Sequence, residues 1–426
     1  MLTTIRNAWK IADLRKKILF TFAILLLYRI GNVIPVPFVN TTLMGQIFNE
    51  QLSNTVLGLY NAMSGSAFSR ATLFALSIQP YINASIIIQL LCIAIPALER
   101  LSKEGGEEGR KKIASITRYA TVGIGLLMGF TFYMMMKNYG LIQQGYEKSF
   151  WTALVIILTF TSGSALIMWL GEQITEFGVG NGISIILFAS IISRFPNSVI
   201  TTIQNVANGS LAWWAAVLVF LGALALIVLI VFVNDAERRI PVQYAKRVVG
   251  RKMYGGQSTH LPMKVNMSGV MPIIFASSIS SIPATIAAFT GHQDSAWAKT
   301  NTIPYAIIYL LLIIFFAYFY STIQFNPIEV ANNLKKNGGY IPGFRPGKPT
   351  SEFIQKVLNK ITLFGAIYLG IIAITPILVS HFSNAAALTG LSLGGTSIII
   401  VVGVALETVR AIEAQMLMRN YKGFLS

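Results

Sequence analysis

Ten stretches of this chain are too apolar to rest in water, and nearly all are long enough to cross a bilayer. A hydrocarbon core is roughly 30 Å thick and a helix rises about 1.5 Å per residue, so about 20 apolar residues span it. The stretches cover about residues 18–38, 74–98, 118–137, 151–171, 183–203, 212–233, 268–288, 303–323, 361–380 and 396–412. Backbone in lipid must satisfy its own hydrogen bonds, which leaves helices or a closed barrel, and continuous apolarity without alternation argues against the barrel. The expected fold is all-α: a polytopic membrane protein with ten transmembrane helices. Charged residues make up 12% of the chain, against roughly 25% in a soluble domain. Arg194 cuts into the fifth stretch and Arg29 lies inside the first. At the bilayer centre Arg29 would cost roughly 2.5 to 3.5 kcal/mol, so it either snorkels or pairs.

Basic residues set orientation. The amino terminus, the even-numbered loops and the carboxyl tail hold 27 of the 33 Lys and Arg, which predicts that both termini and these loops are cytosolic. The net charge of +17 is then a topology signal, although a ribosome or anionic lipid surface can use the same charges. The lone Cys92 excludes an intrachain disulfide. No small-residue cleavage site follows Ile18, so the first helix is expected to stay in place.

Ten helices divide as five and five, 1–203 and 204–426, around a basic loop at 234–264, with a second large loop at 324–360. An odd number per half puts the halves in opposite orientations, as in an inverted repeat. Residues 40–73 make no clean span; they are either an ordinary external loop or a half-inserted segment lodged inside protein.

Catalytic chemistry lacks material. The three histidines are unpaired at ligand spacing, so no metal site is expected. GGYIPGFRPGKPT lacks the glycine five residues before Gly347 and carries Pro349 where Ser or Thr would hold magnesium, so it is no nucleotide loop. No cofactor is implied, the chain is not expected to be an enzyme, and work done through it must be driven by another protein.

Two helices carry graded stripes. At about 100° per residue, Ile78, Ile82, Ser85 and Gln89 fall within about 60° of one another, apolar deep and polar toward the cytosol. Ile400, Val404 and Glu407 repeat the pattern in the tenth helix. Such stripes face either neighbouring helices through hydrogen bonds or a water-filled funnel closed by an apolar constriction.

Four segments in order, FALSIQPYINASIIIQLL, WLGEQITEFGVGNGISIILF, RRIPVQYAKRVVGRKMYGGQSTHLPMKVNMSGVMPIIFASS and FNPIEVANNLKKNGGYIPGFRPGKPT, resemble the hallmark segments of the SecY family of bacterial protein-conducting channels. The resemblance covers nearly the whole chain. It implies two halves around a central hourglass pore, hinged between helices 5 and 6, with a ring of Ile78, Ile82, Ile183, Leu187, Ile274 and Ile400. It implies a plug, a short helix from Asn61 to Arg70 that includes Ser64, Gly65, Ser66, Ala67 and Phe68. A lateral gate would part between helices 2 and 3 and helices 7 and 8, with Asn83, Gln89, Thr121, Asn266, Ser277 and Ser278 as latches. Arg239, Lys246, Arg247, Arg251 and Arg345 would dock the motor ATPase SecA or a ribosome. SecE, SecG, signal peptides, translocating polypeptides and membrane lipids complete the implied partners, in the bacterial cytoplasmic membrane. Ser77 and Gln79 depart from the family pattern, which has glycine and an apolar residue there. The rival readings are an ion-coupled small-solute transporter with inverted repeats, which would place ionisable groups at midplane, and a poreless receptor for the ribosome.

Overall fold

The computed structural model describes residues 2–48, 56–146, 149–209, 212–244, 247–249, 252–254, 258–290, 302–382 and 395–422. Helices α1 (Leu2–Lys10), α2 (Ala12–Gly31), α3 (Thr41–Ile47) and α4 (Val56–Met63) come first. They are followed by α5 (Gln79–Ala94), α6 (Pro96–Lys103), α7 (Gly106–Asn138), α8 (Phe150–Phe177), α9 (Gly182–Ile192) and α10 (Phe195–Ala207). The later chain forms α11 (Trp213–Asp235), α12 (Met271–Thr290), α13 (Ile303–Gln324), α14 (Pro327–Lys336), α15 (Lys348–Phe382) and α16 (Gly395–Lys422). A helix lies across each of the ten apolar stretches. Six helical units among the described residues are long and apolar enough to cross a membrane, and the bent pair α5 and α6 makes a seventh.

Local chemistry explains where the helices differ from the expected spans. The first apolar stretch is helical from Ala12 and stops at Gly31, so Arg29 sits exposed in the last turn and not at the middle of a span. A helix end lets a long cationic side chain reach past the apolar layer. The second stretch is shortened at both ends. Ser77 has φ 50°, outside the helical region, so α5 starts only at Gln79. Pro96 then removes a backbone donor, and the chain turns through 106° into α6. In the fifth stretch Phe195 and Pro196 open α10 after a break at Arg194. Asn181 caps α9 by accepting from the N–H groups of Ile183 (3.1 Å) and Ser184 (3.4 Å), and Asn326 does the same for α14.

The segment from 234 to 264 is not a loop. It forms β1 (Glu237–Tyr244), β2 (Arg247–Val249), β3 (Lys252–Tyr254) and β4 (Ser258–Lys264), and β5 (Gly339–Tyr340) comes from the second large connection. β1 lies between β4 and β5, antiparallel to both, with Glu237 opposite Lys264 and Gln243 opposite both Ser258 and Tyr340. The inward residues Ile240 and Val242 alternate with exposed neighbours. They pack with Met263, Ile341, Ile354 and Leu358 into a small core of their own, shared with the start of α15. Alternation over so few positions is a faint signal among seven cations, and the residues that complete the core lie about 100 positions away in the chain.

Packing links the two parts of the chain along two seams. α5, α7, α8 and α9 pack in series, as do α12, α13 and α15. α12 touches α5 and α7 on one side, and α9 touches α16 on the other. The C-terminal end of α11 is tied down separately. Arg410 of α16 donates to the Asn234 carbonyl (3.2 Å) and pairs with Asp235, while Asn266 donates to the Asn234 side-chain oxygen at 2.9 Å. Orphan carbonyls at a helix end favour a cation at that place.

Candidate functional site

Five of the six ring candidates, Ile78, Ile82, Leu187, Ile274 and Ile400, are buried in one large apolar cluster built from both parts of the chain. Ile183 is half-buried and packs against that cluster, close to Gly171 of α8. Ile78 caps α5 and does not lie within it, yet it remains fully buried. Met63, at the end of α4, belongs to the same cluster.

Helix α4 touches α9 from the first part of the chain and α12 from the second, so it bridges the two. Helix α4 covers only the first three residues of the expected 61–70 range and begins upstream of it. From Ser64 onward the chain runs in turns, with Gly65 at φ 67°, Ser66 at φ 70° and Ala71 at φ 46°, a run of left-handed residues that no helix accommodates. Asn61 organises the turn: its carbonyl accepts from Ser66 N–H (2.9 Å) and Ser64 hydroxyl (3.2 Å), and its side chain accepts from Ser69 N–H (3.0 Å). A Cβ at Gly65 would lie 3.0 Å from the Ser190 carbonyl oxygen of α9, so only glycine allows this approach without displacement.

Ser64 and Ala67 are buried, and Gly65 and Ser66 are half-buried. Phe68 is a different matter. It stands edge-on to Phe48 and to Phe132, which in turn meets Phe160, with ring centroids 5.9, 4.2 and 5.3 Å apart. Such a chain anchors the downstream half of the segment to α7 and α8. Arg70 is exposed.

Three of the six gate candidates bond within their own helices. Gln89 donates to Ser85 (3.3 Å), Thr121 to the Thr117 carbonyl (2.7 Å) and Ser277 to the Ile274 carbonyl (2.8 Å). Asn83 reaches the Met128 sulfur of α7 at 3.9 Å, and Asn266 bonds Asn234. Ser278 is buried. The partners of Asn83, Gln89, Thr121, Asn266 and Ser277 named here do not cross the seam between α12 and the pair α5 and α7. Nearer the α13 side, Ser280 and the Tyr305 hydroxyl share a bond of 3.0 Å. In α16 the stripe grades as expected, with Ile400 and Val404 buried and Glu407 exposed.

Of the five cationic candidates, Arg239 is exposed on β1 and paired with Glu237 at 2.6 Å. Arg247 lies in β2, while Lys246 and Arg251 fall outside the described residues. Arg345 projects from a tightly built turn between β5 and α15. Its carbonyl accepts from the Thr350 hydroxyl (2.8 Å), Phe344 stacks on Phe353 with centroids 4.2 Å apart, and Gly343 and Gly347 supply φ 87° and 105°. The sheet and this turn share one core, a unity that the two sequence-distant loops conceal.

A family model described as SecY matches residues 72–409. A protein translocase subunit SecY from Streptomyces scabiei is 46% identical over 440 residues, covering 100% of both chains. Among solved structures, one of a SecY protein whose plug domain stabilises the closed state of the translocation channel and maintains a membrane seal aligns with TM-score 0.66 and 16% identity, over 94% of this chain and 92% of that one. The Sec61 channel of a canine ribosome-channel complex from the endoplasmic reticulum aligns with TM-score 0.61 and 15% identity, over 94% and 92%.

Proposed function

The chain belongs to the SecY family, and from that premise we propose that it is the channel-forming subunit of a protein translocase, conducting unfolded polypeptides across a membrane and releasing apolar segments sideways into lipid. It is a multi-pass membrane protein. The observation that carries the reading is the gathering of Ile78, Ile82, Leu187, Ile274 and Ile400 from four separated segments into one apolar cluster beneath α4, with Ile183 packed against it. A ring of aliphatic side chains gives an ion no ligands and water little reason to stay, yet it makes no directional bonds that a passing chain must break. Transport here is conduction and not catalysis. An ion-coupled transporter is not favoured, because the residues gathered at that place are aliphatic and Arg29, the one charge that pointed elsewhere, sits at a helix end.

On the same reading α4 with the turn through Arg70 is the plug, and the halves 1–203 and 204–426 part along the seam of α5 and α7 with α12 and α13. The basic sheet and the Arg345 turn form the docking surface for the motor SecA or a ribosome, in the cytosol, with both termini on that side of the bacterial cytoplasmic membrane. SecE and SecG would complete the assembly and anionic lipid would surround it. The fork of an arginine suits carboxylates and phosphates alike.

The test is site-directed crosslinking from a stalled secretory chain. Probes at Ile78, Ile82, Ile274 and Ile400 are expected to react with the stalled chain, and probes on the exposed face of α11 are not. Labelling of α11 in place of the four ring positions would remove the pore assignment.

A further inference from the structure

Gln79 is 2% exposed, and the two ends of its amide are treated differently. Nε2 donates to the Met63 sulfur at 3.0 Å, whereas Oε1 meets no hydrogen-bond donor among the described residues. A thioether is a weak acceptor, and a buried carbonyl oxygen without a donor is unfavourable. Two positions earlier, Ser77 is held at φ 50°, where a side chain crowds the backbone. Its hydroxyl reaches the Met63 carbonyl at 3.4 Å, the far limit of a useful bond. Ile78, fully buried, stands between them. The two polar residues that flank this ring candidate therefore converge on one residue of α4, and each is in an unfavourable state while it does so.

We propose that Ser77 and Gln79 are a gating pair that raises the energy of the closed channel, so that α4 is seated but poised. The inference rests on the reading of α4 as the plug. When Met63 withdraws, the Gln79 amide is uncovered, and its oxygen gains donors from water or from the backbone N–H groups of a passing polypeptide. The opposite sign, a latch that holds α4 down, would need strong bonds to Met63. A sulfur acceptor and a 3.4 Å contact are weak beside an orphaned carbonyl and a left-handed serine. Gln79 thus acts by lowering the threshold for opening, and the chemistry it offers an incoming substrate is backbone recognition, indifferent to side-chain sequence.

The test uses the full chain assembled with its partner subunits in vesicles, and reads idle channel openings as halide leak and single-channel events. Gln79→Leu, which packs on Met63 without an orphaned oxygen, is expected to cut idle openings about tenfold. Ser77→Gly, free of the left-handed penalty, is expected to cut them about threefold. Gln79→Met serves as a second apolar variant should the leucine impair assembly, with the same expected sign. More frequent openings in the apolar variants would make the pair a latch, and unchanged openings would remove it from gating; either result overturns the proposal. To separate this from the plug reading, Met63→Cys and Gln79→Cys in a Cys92→Ser background are bridged with a short bismaleimide. Export that continues through the bridged protein would show that α4 need not leave, which refutes the plug reading, whereas blocked export with unaltered leak in Gln79→Leu refutes only the gating pair.

Discussion

The aliphatic cluster beneath α4 and the sheet of β1, β4 and β5 hold their chains by opposite means. The cluster has bulk and little direction at its ring candidates: these are isoleucine and leucine, and Ser277 and Gln79 beside them bond within a helix or weakly to Met63. The sheet has ladder hydrogen bonds, a shared core and a turn at Arg345 secured by Thr350, Phe344 and two left-handed glycines. On the proposed reading, the surface that yields to any sequence is built from contacts that can be replaced by others of the same kind, and the docking surface is built from contacts that cannot.

Four perturbations bear on that contrast. The largest effect is expected at the cluster: Ile82→Asn with Ile400→Asn should raise idle ion leak on the order of a hundredfold, because two amides give water a foothold in a dry constriction. Vesicle conductance checks it, and leak equal to that of the unaltered chain would refute the constriction. Next, Arg345→Glu should lower motor-driven export by about thirtyfold or more, the range of a reversed hot-spot charge, while the chain still folds and inserts. Export at the normal rate would break the claim that the turn is a docking point. Third, Ile354→Ala should loosen the sheet core by about 2 to 4 kcal/mol, read as faster hydrogen exchange in β1 and β4 with the helices around Ile82 unaffected. Equal loosening in both regions would show that they are not independent. Last, Arg239→Gln should cost under about 1 kcal/mol, since its pair with Glu237 is largely exposed. A loss of stability well above that would show the pair to be structural, and a large loss of export with stability intact would place the main docking contact at β1 and not at the Arg345 turn.

Much of the helical architecture is readable along the chain because membrane burial acts on each segment separately. A run such as Trp213–Asp235 is apolar whatever it packs against, and α11 is indeed almost wholly uncovered by the rest of the protein. Boundaries are less legible. The end of α2 at Gly31 and the late start of α5 depend on turns that an apolar count does not register, though Pro96 and the pair Phe195 and Pro196 are visible breakers. Resemblance supplied the ring; five of its members are buried in one apolar cluster, and Ile183 is half-buried against it beside Gly171 of α8. The anchoring of Phe68 was hidden, because its partners Phe48, Phe132 and Phe160 lie on three other segments.

By itself, then, the sequence determined which segments suit lipid, where the charges fall along the chain and the family, all of which follow from local composition or from motifs read in order. Only the tertiary structure decided that two basic loops make one sheet, that α4 ends before the turn it was expected to contain, and that Ser77 and Gln79 converge on Met63. The reason is range. Transfer into lipid is a property of about twenty neighbouring residues, whereas a β-ladder, an aromatic chain or an orphaned amide is a relation between residues that the chain alone keeps apart.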